Sequence, residues 1–262
     1  MATDSAGHAT ELARDAVKQG ADLLLVLGGD GTVNEAVNGL AFSGVPLGVL
    51  PAGTANVVAM ELGLGSRLER AAGILVQCQP RRIALGRIIT SDGVARYFLS
   101  MAGAGLDAKI VNEIRPSLKQ RTGKLAYWAA GLAQFTARLE PVEVRVHAAK
   151  GDETFTCGFV LISRVRNYGG DLEIASGASL CRDDFEVVLF EGANPLRYAW
   201  YMLGVGLRRV QQMQGVRTMP AVSAEIVTAT HLQIDGEYAG RQTARIEIAP
   251  AALTLLVPPA YG

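Results

Sequence analysis

The sequence predicts an α/β unit built on a parallel sheet, followed by a mostly antiparallel β unit, a sandwich or an open barrel. Three observations carry this. The apolar run Leu23-Leu24-Leu25-Val26-Leu27 leads through Gly28-Gly29-Asp30-Gly31-Thr32 into a helix-patterned segment, the order of a buried parallel strand feeding a helix. The same order returns about 25 residues later, where Pro46 to Leu50 leads through Pro51-Ala52-Gly53-Thr54-Ala55-Asn56 into another helical segment. After Pro80 the apolar period becomes two, as in Val142-Glu143-Val144-Arg145-Val146, which turns one face inward and one to solvent.

Taken in order, Thr10 to Gln19 reads as a helix stopped at Gly20 and Leu23 to Leu27 as a strand buried on both faces. Val33 to Leu40 reads as a helix, Pro46 to Leu50 as a second strand, then Ala55 to Leu62 and Arg67 to Val76 as helices. Strands alternating with helices imply a parallel sheet covered on both sides. The change of pattern near Gln77 to Pro80 divides the chain into 1–78 and 79–262. In the second unit Arg82 to Ile89, Arg96 to Met101, Val142 to Ala148, Phe155 to Ser163 and Phe185 to Phe190 read as strands. Glu225 to Gln233, Ala244 to Ile248 and Leu253 to Val257 complete that set, and helical stretches at Lys124 to Leu139 and Pro195 to about Met213 interrupt it.

Composition narrows the function classes. The 262 residues carry 25 basic and 25 acidic side chains, a balance that argues against a nucleic-acid partner. Almost half are hydrophobic, yet no run reaches the length of a membrane span. Met1 is followed by polar residues and then a helix, so no signal peptide is expected. Cys78, Cys157 and Cys181 lie far apart, which predicts reduced thiols and a cytoplasmic protein. His8, His147 and His231 are too scattered for a zinc site or a triad.

The two glycine segments are the candidate site. Glycine lets backbone approach a bulky anion, and N–H groups at a helix start favour negative charge. Asp30 would repel a bare phosphate, so it points to a magnesium-bound phosphate or a sugar hydroxyl; read plainly, it caps a tight turn. Thr54 and Asn56 offer a hydroxyl and an amide suited to phosphate or sugar. Neighbouring parallel strands open their loops at one sheet edge, where ligands bind in such folds. Neither segment matches the Walker or the dinucleotide pattern.

Gly28-Gly29-Asp30-Gly31-Thr32 with Asn34-Glu35, then Pro51-x-Gly53-Thr54-Ala55-Asn56, resembles the diacylglycerol kinase catalytic domain, a family that includes sphingosine kinases and many bacterial lipid kinases. Gly103-Ala104-Gly105-Leu106-Asp107-Ala108, Asn167-Tyr168-Gly169-Gly170 with Ile174-Ala175, and Asp235-Gly236-Glu237 match further motifs in order. The resemblance implies an α/β nucleotide-binding domain, a β-sandwich, and a cleft site where the γ-phosphoryl of ATP passes to a lipid hydroxyl. It implies ATP and Mg2+ as cofactors, with Gly28, Gly29, Gly31, Thr32, Gly53, Thr54 and Asn56 on the nucleotide. Asp30, Asp235 and Glu237 become the catalytic carboxylates, Asp30 and Glu237 the magnesium ligands, and Asp235 the preferred base with Asp30 its competitor. Glu35, Asp107, Asn167, Gly169 and Gly170 are placed on the substrate cleft, although Glu35 also fits a first helical turn and Asp107 an N-cap. Asp-Gly-Glu by itself also describes a common β-turn.

The chain departs from that pattern in three places. The family's first strand, ending in Asn-Pro, has no counterpart before the first helix, so a piece of the nucleotide site is expected to be missing. Val57 stands where many members carry Asp. Ala178-Ser179-Leu180 leads to Cys181-Arg182-Asp183-Asp184, where members have an Asp-Gly pair linked to a structural magnesium, and the Arg puts that metal in doubt. The implied partner is a lipid at a membrane surface, for a cytoplasmic protein peripheral to the inner membrane face, with a homodimer left open. Arg115, Lys119, Arg121 and Lys124 before Tyr127-Trp128, and more weakly Arg197-Tyr198-Ala199-Trp200-Tyr201, fit such a surface. An NAD kinase shares the Gly-Gly-Asp-Gly-Thr segment, but its Gly-Ser-Thr-Ala-Tyr run is absent here. A non-catalytic nucleotide- or lipid-binding module is the remaining alternative.

Overall fold

The computed structural model describes residues 1–106, 108–109, 140–148, 151–192 and 194–261. Helix α1 (His8–Lys18) precedes β1 (Leu24–Gly28), α2 (Asp30–Leu40), β2 (Pro46–Pro51), α3 (Val57–Glu61) and α4 (Leu68–Leu75). Strands β1 and β2 pair in parallel from Leu24 opposite Leu47 to Gly28 opposite Pro51. Helix α2 begins at Asp30, three residues before the apolar pattern starts, because Gly29 is its N-cap and Val33 N–H already donates to the Gly29 carbonyl (3.0 Å). The second glycine segment stays a loop. Strand β1 corrects the expectation of a strand buried on both faces: Leu25 and Leu27 are 51% and 57% exposed, while Val26 is buried. Among the described residues β1 pairs with β2 alone, and it lies at the edge of the sheet.

The second unit consists of β3 (Gln79–Thr90), β4 (Ala95–Phe98), β5 (Met101–Gly105), β6 (Val142–Ala148), β7 (Gly151–Cys157) and β8 (Phe159–Ser163), then β9 (Asn167–Tyr168) and β10 (Leu172–Glu173). After these come β11 (Phe185–Phe190), α5 (Pro195–Gly206), a 3-10 turn (Val210–Gln212), β12 (Val216–Ala221), β13 (Ser223–Ile234) and β14 (Glu237–Val257). Antiparallel pairing runs β14-β13-β5-β8-β11-β12, with β3 also on β14 and β6 on β13. The expected strand Arg96 to Met101 is two, parted at Leu99-Ser100, and Phe155 to Ser163 is two, parted at Gly158. Conversely, Ala244 to Ile248 and Leu253 to Val257 are one strand with an irregularity between Ala249 and Leu253. Strand β12 and the β9–β10 hairpin were not legible from the pattern. The helix expected at Lys124 to Leu139 lies outside the described residues.

Strand β14 ties the units together. Its early residues pair with β13 and β3, while Thr254 and Leu255 lie parallel to Pro46 and Leu47 of β2. One apolar core accordingly runs from Val37, Leu40 and Leu47 through Leu85 and Leu253 to Leu161 and Tyr201. A second lies wholly within the β unit, where Phe98 and Phe185 stack with centroids 5.8 Å apart among Val144, Ile162 and Ile246. The division at 78/79 is thus crossed by both a strand and a core.

Candidate active site

The parallel register of β1 and β2 brings both glycine segments to one sheet edge, where Ala52 N–H donates to the Gly28 carbonyl (3.1 Å). They touch. A Cβ on Gly53 would lie 2.5 Å from the Gly29 Cα, closer than real Cβ atoms come to backbone, so glycine is what permits the approach. Asn56, with a left-handed φ of 49°, closes the second segment on itself: its Oδ1 accepts from Gly53 N–H (2.7 Å) and its Nδ2 donates to the Gly53 carbonyl (2.8 Å). That corrects its expected place on a ligand, since the buried amide is spent bracing the loop. Thr54 is exposed, and Thr32 packs beside Gly28, where a Cβ would come 2.8 Å from its own Cβ.

Asp30 joins the two segments. Its Oδ1 accepts the N–H of Val57 at the start of α3 (2.7 Å), so the cap reading holds, for the neighbouring helix rather than its own. Glu237 reaches the same place from the β unit: its Oε1 lies 3.0 Å from where a Gly31 Cβ would be, and its Oε2 accepts from Arg96 Nη2 (2.9 Å).

Asp235 and Gly236, with φ of 48° and 82°, form the two-residue turn between the paired Ile234 and Glu237, the positive-φ hairpin turn that Asp-Gly favours. The turn reaches the surface but the carboxylate points inward. Oδ1 accepts the N–H groups of Ser100 (3.0 Å) and Met101 (2.8 Å); Oδ2 accepts Leu99 N–H (3.0 Å) and Asn34 Nδ2 (2.7 Å). The break between β4 and β5 turns the Leu99 and Ser100 N–H groups to this carboxylate, and Met101 at the start of β5 supplies the third backbone donor. Burial pushes the Asp235 carboxyl up to about 6, against the four hydrogen bonds that pull it down. A carboxylate has about four lone-pair positions, and all are filled.

Asn34 and Asn38 were the functional residues not singled out as a pair. They stand four apart on the face of α2 turned toward β4: Asn34 also donates to the Tyr97 carbonyl (3.1 Å), and Asn38 both accepts from Tyr97 N–H and donates to its carbonyl (2.9 Å each). Two amides at helical spacing among apolar residues were the available signal.

Glu35 is a correction. Its two oxygens accept Gly7 N–H (2.8 Å) and Ala9 N–H (3.1 Å), so it caps α1 rather than facing a cleft. Gly169 and Gly170, at φ 59° and 110°, turn the chain between β9, which carries the half-buried Asn167, and β10. That hairpin packs on α3, where the buried Glu61 accepts Arg166 N–H (2.9 Å) and Tyr261 Oη–H (2.7 Å). Asp107 lies outside the described residues.

The residues at the doubtful structural metal do not fit a cation. The fully buried Arg164 donates from Nη1 to the carbonyls of Arg182 (2.9 Å) and Asp184 (3.0 Å), and from Nη2 to that of Leu180 (2.9 Å). Arg182 pairs with the Asp184 carboxylate. Guanidinium groups therefore already hold these carbonyl and carboxylate oxygens. The phosphate-side magnesium is different. Among the described residues no three His, Cys, Asp or Glu side chains gather into a cage, but magnesium needs only one or two carboxylates when phosphates complete its shell. Glu237 Oε1 lies 3.0 Å from where a Gly31 Cβ would be, and Asp30 is the residue before that glycine, so the donor types at this end of the fold fit such an ion.

A helix start lined by glycine is suited to a phosphate group, and Glu237 reaches it from the second unit. Comparison with known proteins agrees: residues 1–88 match the diacylglycerol kinase catalytic domain and residues 100–257 the YegS C-terminal NAD kinase beta sandwich-like domain. A diacylglycerol kinase from Mycobacterium tuberculosis is 30% identical, over 97% of this chain and 82% of that protein. One from Bacillus subtilis is 30% identical over 91% of this chain and 78% of its own length. The crystal structure of a diacylglycerol kinase from Bacillus anthracis superposes with a TM-score of 0.74 at 20% identity, covering 99% of this chain and 85% of the other. The chain belongs to the diacylglycerol kinase family, and at that level it is a lipid kinase.

Proposed function

We propose that the protein transfers the γ-phosphoryl of ATP to a hydroxyl of diacylglycerol, a sphingoid base or a similar lipid. One observation carries the reading: Glu237 lies against Gly31, the residue after Asp30, beside the point where the two glycine segments touch, with Asp235 two residues from Glu237 on the same turn. Phosphoryl transfer asks mainly for positioning and charge neutralisation. The backbone N–H groups of Gly29 to Thr32 and of the Gly53 loop receive phosphate oxygens at a helix start. Asp30 and Glu237 would hold the magnesium ion, which, when bound, neutralises phosphate charge. Arg96, beside Glu237, keeps that carboxylate oriented.

Asp235 takes the proton of the lipid hydroxyl. Three of its four donors are backbone and fixed; the fourth is the Asn34 side chain. An incoming hydroxyl would displace the Asn34 amide and donate its O–H to Oδ2, on a carboxyl whose affinity for a proton burial has raised. The Asn167–Gly170 hairpin borders the lipid side of the cleft. Incubation with labelled ATP, Mg2+ and separate pools of diacylglycerol, sphingosine and NAD tests the proposal. Label in a lipid supports it; label in NADP, or nucleotide binding with no turnover of any pool, refutes it.

A further inference from the structure

Helix α5 carries an apolar face that the fold leaves uncovered. Trp200, Leu203 and Leu207 stand three and four residues apart and so share one side; they are 60%, 51% and 63% exposed. The chain continues the helical turn to Leu207, whose N–H donates to the Leu203 carbonyl (3.0 Å). The other side is core: Tyr198, Tyr201 and Val205 are buried, and Tyr201 Oη–H is within 3.0 Å of the Glu191 carbonyl and 3.1 Å of the Gly215 carbonyl. Trp200, Leu203 and Leu207 line a shallow recess of about 240 Å³ with Arg209 and Gln212.

The charge around this face is one-sided. From Gly192 to Ala224 the sequence has four arginines and no Asp, Glu or Lys, in a protein of zero net charge. Arg197 lies over the Tyr201 ring and Arg217 pairs with Glu191. Arg208 and Arg209 are exposed, and among the described residues neither makes a salt bridge.

We propose that this face docks the protein on an anionic bilayer. Trp200, Leu203 and Leu207 enter the boundary between headgroups and acyl chains, and Arg208 and Arg209 meet lipid phosphates. The proposal rests on the lipid-kinase reading for its motive, since an acyl-chain substrate has to be collected from a membrane. Its residues are those of interfacial helices, an aromatic and two leucines flanked by arginine. A second copy of this chain fits less well. Three side chains expose roughly a few hundred Å², against about 800 Å² per partner in a stable interface. A two-fold contact would also set Arg208 and Arg209 against their own copies.

Vesicle co-sedimentation, which needs no turnover, tests this on the full chain. The parent is expected to bind vesicles containing phosphatidylglycerol, to ignore pure phosphatidylcholine, and to release as salt rises. Arg208→Gln/Arg209→Gln should lose roughly thirty-fold in binding, from about 1 kcal/mol per basic residue at an anionic surface. Leu203→Glu/Leu207→Glu should lose at least as much, with an unchanged melting temperature because both positions are exposed. Equal binding by parent and both variants overturns the proposal. So does a lipid-free dimer that Leu203→Glu/Leu207→Glu converts to monomer, which would assign the face to self-association. Short-chain soluble diacylglycerol keeps the two readings apart. Variants that phosphorylate it like the parent but fail on vesicles support docking. Face-dependent vesicle binding with no phosphorylation of any lipid supports docking while the kinase reading fails.

Discussion

Replacing Asp235 by Asn keeps the shape of the side chain and removes both the charge and the proton acceptor. In the parent each carboxylate oxygen accepts two donors at 2.7 to 3.0 Å. Whichever way the amide is turned, its NH2 faces two donors, and hydrogen bonds to a charged group are worth about 1.5–3 kcal/mol each. Losing two costs about 3–6 kcal/mol. Set against this is relief from burying a charge, whose cost outweighs the four hydrogen bonds and holds the carboxyl at about 6 instead of 3.8. The destabilisation therefore stays below that figure of about 3–6 kcal/mol, whereas loss of a general base lowers the rate by about 10²–10⁴. Single-turnover transfer from labelled ATP to micellar diacylglycerol gives the rate, and urea unfolding gives the stability. A folded Asp235→Asn protein within tenfold of the parent kcat refutes the base assignment. The pH dependence supplies a second check. The folded parent holds this proton up to about pH 6 and the unfolded chain releases it near 3.8, so this group's stabilising contribution is lost as pH rises through that window. Asp235→Asn should lack that slope.

Asp30→Asn retains an acceptor for Val57 N–H while losing the charge, so kcat should fall by about 100-fold or more with a melting temperature near the parent's; unchanged turnover removes Asp30 from the reaction. Gly53→Ala drives a methyl into the Gly29 backbone and should cost about 1–3 kcal/mol, read as weaker ATP binding by calorimetry. Glu35→Ala should lower stability by about 1 kcal/mol through the uncapped α1 and leave kcat as it was; a fallen kcat with ordinary stability would return Glu35 to the cleft. Arg164→Met strands the buried Leu180 carbonyl and frees those of Arg182 and Asp184, and should destabilise by about 1–3 kcal/mol, while EDTA leaves the parent's melting temperature unchanged; an EDTA-sensitive melt would mean that a metal, not Arg164, holds that loop.

The parts of the fold that follow from local chemistry were readable in the sequence. Alternation marked β6 at Val142–Ala148, which has one face against a core, and an apolar run marked β11 at Phe185–Phe190, which lies between two, both with the ends observed. The glycine segments were readable because close backbone approach leaves little choice of residue. What escaped depends on partners far along the chain. Leu99-Ser100 reads as strand, and only Asp235, more than 130 residues later, gives its donors a reason to leave the ladder. Glu35 and Asn56 have side chains that suit a ligand, and nothing local says that the α1 backbone and Gly53 already occupy them. The exposed face of β1 was missed because an apolar side chain stands at every position from Leu23 to Leu27 and hides the period of two.

The return of β14 to β2 has a consequence for how the chain is made. Residues 46 and 47 leave the ribosome long before residues 254 and 255, their partners in the parallel sheet. Until then β2 has β1 on one side and nothing on the other, and Leu47 lacks Leu253 and Leu255, members of the same core. The nucleotide end, synthesised before the β unit, is thus completed after it, and the β1–β2 pair must wait with one edge open through translation of the whole β unit. Moving the β14 sequence to precede β1 by circular permutation would shorten that wait, and cotranslational proteolysis would register the difference.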